Sequence, residues 1–246
     1  MKVMIASPAA GGIVTTSYAS SLMSAVAAFH GVGAAFVHEI CDGPDIVANR
    51  NYLANTFLRQ GELSHLLFID TDMKIRRNVF DHFIAAEKDI IGAIYSQRAL
   101  DLEKLATLLR DGEPLEKARA LAAEYNVLME PGEYTIDNML VPVTGLGFGC
   151  VLMARRVLEV MVKTGVVGAL NSTMVKRAGL DGAAHDFFGL IELANGDLLS
   201  EDYSFCRRAR ETGEVELLGY VGGGVLHTGP FDYSAPYIHR LKAGSI

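Results

Sequence analysis

The sequence predicts an α/β protein with a mainly parallel central sheet flanked by helices. Short apolar runs alternate with helix-length segments through the first 96 residues, and this alternation is typical of βαβ crossovers. The chain has 246 residues, half of them hydrophobic, which is enough to bury a large core. Neither an internal repeat nor a linker interrupts it, so we expect a single domain over residues 1–246.

Four strands and three helices are predicted in the first part of the chain. The strands are residues 2–7 (KVMIAS), 34–40 (AAFVHEI), 65–70 (HLLFID) and 89–96 (DIIGAIYS), and the helices between them are residues 15–29, 45–59 and 76–87. Connections of this length place successive strands in parallel, with the helices on the faces of the sheet.

The pattern changes after Arg98. Leucines at helical spacings on both sides of Gly112 and Pro114 predict a helical pair, inserted as a flap or cover at about residues 100–128. The predicted elements that follow are a strand-rich stretch at 134–153, a helix at 155–163, a Gly-rich loop, a helix from about Ser200 to Gly213 and a strand at 215–221.

Composition excludes several classes of protein. The formal net charge of −7 argues against a general affinity for nucleic acid or anionic lipid. The three cysteines lie far apart without a CxxC spacing, which favours a reducing, cytoplasmic location over a disulfide framework or a zinc site. The apolar N-terminus is interrupted by Pro8 and Gly11, and no apolar run is long enough to cross a bilayer. The C-terminal YSAPYIHRLK leaves peripheral membrane contact open, although we favour a simple surface tail.

Asp70 and Asp72 end the third predicted strand, in HLLFIDTDMKI. Ligands of open α/β sheets bind outside the carboxyl ends of the strands, which is where both carboxylates fall. Two close carboxylates need a cation to offset their repulsion, and hard divalent ions prefer oxygen ligands. We therefore favour a metal site over a turn in which Asp70 is a cap and Asp72 is solvated.

Three further side chains are candidates for chemistry. Glu201 and Asp202 follow Ser200 at a predicted helix start, where acids in the first turn are also ordinary helix chemistry. The same position would keep Asp202 rigid and ionised, as a general base requires. His227, in GGGVLHTG, follows a Gly-rich approach, and a lone histidine is as often structural as functional.

Several stretches together resemble glycosyltransferases of the GT-A fold, of a family 2-like type. In the first half of the chain, VANRNYLANTFL resembles the Arg-Asn helix of these enzymes, LLFIDTD resembles their D-x-D strand, and GAIYSQR resembles the strand that follows. In the second half, VTGLGFGCVLMARRVLEVM resembles their Gly-rich strand and helix, LLSEDYSFCRRARETG resembles their Glu-Asp helix, and VLHTG contains their late histidine. The resemblance covers most of the chain apart from the helical insert and the C-terminal end. It implies a Rossmann-like GT-A domain and a hexosyltransferase-like activity that depends on a nucleotide sugar.

The resemblance also implies roles for individual residues. The donor would be a nucleoside diphosphate sugar, and the acceptor a hydroxyl of a glycan, a lipid-linked molecule or a protein. Asp72 and His227 would hold Mn²⁺ or Mg²⁺, with the imidazole favouring manganese. Asp202 would be the base of an inverting displacement, with retention left open, and Glu201 would bind a hydroxyl. The residues assigned to the donor are Ser7, Pro8, Arg50, Asn51, Asp70, Thr71 and Gly147.

Two other hypotheses remain. LLFIDTDMK resembles the hhhhDxDx[TV] motif of haloacid-dehalogenase-like phosphohydrolases, but Lys74 stands where Thr or Val is required and two βα units precede the strand. A non-catalytic protein that binds a sugar nucleotide is the other. The segment GLGFGC is not a dinucleotide fingerprint, because Cys150 stands where Gly or Ala is needed and the strand continues beyond it.

Overall fold

A seven-stranded mixed sheet lies at the centre of the protein. The structure, a computed structural model, describes residues 1–177, 179–180, 184–229, 232–233 and 235–243. The strands are β1 (Lys2–Ala9), β2 (Ala35–Asp42), β3 (His65–Ile69), β4 (Met73–Ile75), β5 (Ile90–Ala93), β6 (Ser96–Leu100), β7 (Ala123–Tyr125), β8 (Val127–Leu128), β9 (Leu140–Pro142), β10 (Gly145–Leu146), β11 (Cys150–Ala154), β12 (Ile191–Glu192), β13 (Leu198–Leu199), β14 (Leu217–Tyr220), β15 (Val225–Thr228) and β16 (Asp232–Tyr233). The helices are α1 (Thr16–Gly31), α2 (Ile46–Arg59), α3 (Arg77–Ala86), α4 (Leu102–Arg110), α5 (Leu115–Ala122), α6 (Arg155–Lys163), α7 (Thr173–Arg177), α8 (Glu201–Glu211) and α9 (Ile238–Lys242).

The central sheet has the strand order β2-β1-β3-β11-β5-β14-β9. β1 pairs in parallel with β2 and β3, and β5 pairs in parallel with β14. β11 runs antiparallel between β3 and β5, and β9 runs antiparallel to β14. β1, β2, β3, β5 and β14 therefore share one direction. This confirms the predicted α/β class with a mainly parallel sheet, and two reversed strands make the sheet mixed.

Both faces of the sheet are covered. Successive side chains of β3 alternate between two hydrophobic cores, Phe68 entering one and Ile69 the other. The first core contains Phe57 of α2, and the second contains Phe29 of α1 and Phe80 of α3. Because both faces are buried, the strand has the continuous apolar run that revealed it in the sequence.

The start of α2 is fixed by its cap. The side chain of Asp45 accepts hydrogen bonds from the backbone N–H groups of Val47 (2.9 Å) and Ala48 (3.2 Å), which begins the helix at the carboxyl edge of the sheet. Asn49 and Arg50 follow within the first turns, so the helix carries both side chains toward that edge.

The structure adds short elements that the sequence did not predict. β4 begins directly after Asp72 and joins β15 and β16 in a three-stranded sheet. The inserted helical pair is confirmed as α4 and α5, but the rest of the expected insert forms β7 and β8, which pair with β6 and β10. The Gly-rich segment after Lys163 contains α7 and the β12–β13 pair as well as loop.

The interpretation of the C-terminal segment as a simple surface tail is wrong for the residues around α9. Tyr237 is buried, and its ring meets that of Tyr125 edge to face with the centroids 4.5 Å apart. Arg240 donates a hydrogen bond to the Ala123 carbonyl at 2.7 Å. The segment therefore packs on the end of the insert, while the side chain of Tyr233 lies outside the described part. Within the described ranges, no helix combines the length and apolar character needed to cross a membrane.

Candidate functional site

A cleft opens at the carboxyl ends of β1, β2 and β3, the edge at which open α/β sheets bind ligands. It has a volume of about 170 Å³ and is lined by Pro8, Ala9, Ala10, Gly43, Pro44, Ile46, Asn49, Asp70, Thr71 and Asp72. The Asn49 amide donates hydrogen bonds to the carbonyls of Ala9 (3.2 Å) and Gly43 (2.8 Å), and so ties the ends of β1 and β2 together. Small and apolar residues form most of the cleft, and the aspartates give it an acidic edge.

Asp72 and His227 meet at this edge. The register of β4 against β15 places His227 opposite Met73, the residue after Asp72. The Thr228 N–H donates to the Asp72 carbonyl at 2.8 Å, which fixes the two backbones. As a result, His227 Nε2 lies 3.3 Å from Asp72 Oδ2 although 155 residues separate them in the chain.

Arg98 is the member of this group that the sequence analysis missed. Its side chain extends from β6, and Nη2 donates to Asp72 Oδ2, the oxygen that also faces His227. The side chains of Arg98 and Asp72 are 42% and 31% exposed, so this pair is open to solvent. Arg98 follows the fourth predicted strand at the same edge of the sheet, and that position was the available signal. We call Asp72, Arg98 and His227 the outer cluster.

Arg50, Asp70 and Glu201 form a second group, the inner cluster. Arg50 Nη2 lies 3.1 and 3.3 Å from the two carboxylate oxygens of Asp70, and its Nε lies 3.4 Å from Glu201 Oε1. The Arg50 side chain is only 4% exposed, and its guanidinium lies over the rings of Phe148 (5.3 Å) and Phe68 (5.8 Å). In this structure Arg50 faces Asp70 and Glu201, and its Nη1 has no hydrogen-bond partner among the described residues. The expected roles of Arg50 in nucleotide binding and of Glu201 in binding a hydroxyl stay predictions.

The inner cluster carries excess negative charge. Burial, together with the nearby carboxylates of Glu201 and Asp202, raises the pKa of Asp70 in spite of the Arg50 guanidinium. The same three carboxylates hold the pKa of Arg50 above its ordinary value, against the effect of its burial. Apart from burial, both shifts reflect one arginine that faces three acids.

Asp202 lies in the first turn of α8, where the helix dipole favours a carboxylate. Its Oδ1 accepts hydrogen bonds from the Ser200 hydroxyl and from the Tyr203 N–H, the latter at 2.8 Å. Its other oxygen, Oδ2, accepts none from the described residues. Asp202 therefore combines a fixed orientation with one oxygen available to a ligand.

Tyr95 packs against the outer cluster, and burial together with the nearby charges of Asp70 and Asp202 raises its pKa. Its hydroxyl accepts a hydrogen bond from the Gly149 N–H at 3.1 Å, and its ring meets the His227 ring edge to face at 5.5 Å. A Cβ at Gly147 would lie 2.6 Å from the Tyr95 hydroxyl oxygen, closer than real Cβ atoms approach. Gly147, assigned to the donor by resemblance, therefore has a packing role beneath Tyr95.

The remaining predicted residues lie in different surroundings. Ser7 is buried and accepts a hydrogen bond from the Tyr18 hydroxyl at 2.6 Å, whereas Pro8 and Thr71 line the cleft. The Asn51 amide donates to Asp186 at 2.7 Å and accepts from the N–H groups of Phe187 and Phe188, so it holds a loop instead of facing the cleft.

Asp72 and His227 of the outer cluster have the chemistry and spacing to hold a divalent cation. Two ligands that bind one ion at right angles, each at about 2.1 Å, stand roughly 3 Å apart, near the 3.3 Å between Asp72 Oδ2 and His227 Nε2. Burial and then the charge of Arg98 lower the pKa of His227, which keeps the imidazole in the neutral form that binds metals. No group of three or more His, Cys, Asp or Glu side chains suited to a metal occurs in the part of the chain that the structure describes. The remaining ligands would have to come from water and substrate, as is common for ions that bind phosphates.

Similarity to known proteins is found among solved structures. No protein-family profile matches the chain, and no curated protein matches it. Among solved structures, A197 from STIV is similar at 15% identity, with 97% of this chain and 92% of that chain covered and a TM-score of 0.48. A glycosyltransferase involved in the glycosylation of the major capsid of PBCV-1 is similar at 11% identity, with 67% and 64% covered and a TM-score of 0.33. At these levels neither similarity assigns an activity to this chain.

Proposed function

We propose that the protein is a metal-dependent glycosyltransferase that moves a sugar from a nucleoside diphosphate sugar to an acceptor hydroxyl. The single observation that carries the proposal is the meeting of Asp72 and His227, residues remote in the chain, at the acidic edge of the cleft. A carboxylate and a neutral imidazole form an incomplete cation site, which a diphosphate would complete.

The cleft is the proposed binding place of the nucleotide. Pro8, Pro44 and Ile46 offer apolar contacts to a base or ribose, and Asp72 lies at the acidic edge of the same cleft. A divalent cation held by Asp72 and His227 would supply Lewis-acid stabilisation to the charge that grows on the diphosphate leaving group.

Asp202 is the proposed general base. Its Oδ2 takes the proton of the acceptor hydroxyl as the hydroxyl oxygen bonds to the anomeric carbon, while the bond from that carbon to the diphosphate breaks and its electron pair leaves with the diphosphate. The excess negative charge of Asp70, Glu201 and Asp202 favours the positive charge that develops on the sugar ring. Attack on the face opposite the leaving group inverts the anomeric carbon.

Arg50 and Glu201 have positioning roles in this proposal. Arg50 joins the strand that ends in Asp70 to the start of the helix that carries Asp202, and it fixes the distance between the donor and acceptor sides. The pairing with Arg50 also argues against the phosphohydrolase alternative, because a nucleophilic aspartate needs a free carboxylate oxygen.

The test is release of nucleoside diphosphate from a panel of nucleotide sugars, with and without Mn²⁺. Wild type is expected to release it from at least one donor only when a divalent ion is present. Asp202→Asn is expected to lower transfer about 10²–10⁴-fold while Mn²⁺-dependent binding of the nucleotide survives. Asp72→Asn is expected to weaken that binding about tenfold or more.

Asp81→Asn is the matched control, because Asp81 lies exposed on α3 and pairs only with Arg77 among the described residues. Turnover that survives chelation of all divalent ions would remove the metal mechanism. Phosphate release from p-nitrophenyl phosphate would favour the phosphohydrolase. Nucleotide binding without turnover of any donor, unchanged in Asp202→Asn, would favour a non-catalytic binding protein.

A further inference from the structure

Arg98 occupies the position in which a cation would contact Asp72. Its Nη2 donates to Asp72 Oδ2, and His227 Nε2 faces the same oxygen at 3.3 Å. A guanidinium and a metal ion both carry positive charge and both need that oxygen, so they exclude each other there. The contact therefore competes with the cation that Asp72 and His227 are suited to hold.

Arg98 is held loosely enough to exchange. Within the described residues its one ion pair is with Asp72, and 42% of its side chain is exposed. The pairing of β6 with β7 is irregular between Ser96 and Leu100, so the ladder does not clamp the strand around Arg98. Pairs this exposed contribute little to stability, and their side chains change rotamer readily.

We propose that Arg98 is an exchangeable counter-ion: it pairs with Asp72 in the ligand-free protein and moves to a phosphate oxygen when a diphosphate binds together with a divalent cation. The inference rests on the proposed function, because it assumes a diphosphate at the edge of the cleft. A planar guanidinium released beside that ligand matches phosphate oxygens in geometry and charge. The exchange makes the cation and the anion help each other to bind, because each removes the obstacle to the other.

The inference predicts effects of opposite sign in one variant. Arg98→Gln removes the competitor, so binding of Mn²⁺ alone is expected to tighten by about two- to fivefold. It also removes the phosphate contact, so binding of the Mn²⁺ complex of inorganic diphosphate is expected to weaken by about tenfold or more. A residue with only a structural role would shift both affinities in the same direction.

The measurements are electron paramagnetic resonance of free Mn²⁺ for the metal alone, and calorimetry with Mn²⁺–diphosphate as the titrant. Lys74→Gln is the matched control, because Lys74 is exposed on neighbouring β4 and has no ion pair among the described residues. Its removal reports the long-range effect of one positive charge, which is expected to be below about twofold in either measurement at physiological salt.

Each contrary result has a distinct meaning. If Arg98→Gln leaves both affinities unchanged or moves them in one direction while wild type binds Mn²⁺–diphosphate, the role of Arg98 is wrong and the proposed function stands. If wild type and Arg98→Gln bind neither Mn²⁺ nor its diphosphate complex, the metal site and the proposed function are both wrong. If wild type binds diphosphate equally well without Mn²⁺, the cation does not help the anion to bind. The proposed exchange of Arg98 between Asp72 and phosphate is then wrong.

Discussion

Asp70 and Asp72 are separated by one residue, yet each is paired with an arginine in a different environment. In the inner cluster Arg50 is 4% exposed and its guanidinium lies over two aromatic rings, whereas in the outer cluster Arg98 is 42% exposed. The first pair is shielded from water and is costly to break, and the second is open to solvent and inexpensive to exchange. Both pairs join an arginine to an aspartate, so burial and not residue type makes the difference. The buried Arg50–Asp70 pair holds side chains in place, whereas the exposed Arg98–Asp72 pair can be replaced by a ligand.

The largest predicted effect is the loss of stability when Arg50 is removed from the inner cluster. Arg50→Met would leave Asp70 (23% exposed) and Glu201 (15% exposed) without their counter-charge. Breaking a fully buried pair costs about 3–5 kcal/mol, and the partial exposure of these acids sets the expected loss at about 2–4 kcal/mol. Urea denaturation at pH 8 should show this loss in the free energy of unfolding. A loss below about 1 kcal/mol would mean that the inner cluster is no more than an exposed pair.

The pH dependence of the same variant follows from the raised pKa of Asp70. The pKa of Asp70 is higher in the folded protein than in the unfolded chain, where it is about 3.9. Protonated Asp70 therefore stabilises the fold below about pH 3.9, and this stabilisation is lost as the pH rises through the folded-state pKa. The charge of Arg50 lowers the pKa of Asp70, so in Arg50→Met this pKa rises further. The stability lost when Asp70 ionises is then larger, and it is lost at a higher pH. Arg50→Met should therefore be less destabilised at pH 5 than at pH 8, and a difference from wild type that is constant over this range would contradict the assignment.

The sequence predicted the long elements because both faces of the sheet are buried. β1 and β3 are continuous apolar runs, and α2 begins with a recognisable Asp45 cap. The short strands were missed because three or four residues carry no periodicity, and β4 and β15 find each other only in three dimensions. The same pairing brings His227 to Asp72. The sequence placed Asp72 at a strand end but joined it to His227 only through the resemblance, and it missed Arg98.

The roles of the two arginines were harder to predict. Arg50 was expected near the nucleotide, but the sequence does not reveal that Phe68 and Phe148 close over it. Arg98 was passed over because the predicted strand ended at Ser96, whereas in the structure a separate strand, β6, begins there and carries Arg98, which pairs with Asp72. The residue types correctly indicated charged side chains at the carboxyl edge of the sheet. Only the packing shows that Arg50 is buried and Arg98 is exposed.

An intermediate effect is expected at Gly147, which lies beneath Tyr95. In Gly147→Ala the new methyl group would lie 2.6 Å from the Tyr95 hydroxyl oxygen and 2.7 Å from the Asn126 Cβ, so Tyr95 must shift. Overpacking of this kind costs about 1–3 kcal/mol, measured as the free energy of unfolding. Because the Tyr95 ring lies against His227, the variant should also bind Mn²⁺ more weakly than wild type.

Gly61→Ala is the control for this variant, because an added Cβ there meets nothing within 4 Å. Its free energy of unfolding should stay within about 0.5 kcal/mol of wild type, as for most surface substitutions. Equal losses in Gly61→Ala and Gly147→Ala would show that replacing glycine costs stability in general, and that the close approach to Tyr95 is not the cause.

The smallest effect is expected at the outer cluster. Arg98→Met removes a pair whose partners are 42% and 31% exposed, so the free energy of unfolding should change by about 0–1 kcal/mol. Salt should reduce that small difference further, because exposed charges are screened. Urea denaturation of wild type and Arg98→Met at low and high NaCl measures both quantities. A loss of unfolding free energy as large as that of Arg50→Met would mean that Arg98 binds Asp72 as strongly as Arg50 binds Asp70. An arginine held that strongly would prevent a cation from binding Asp72 instead of exchanging with it.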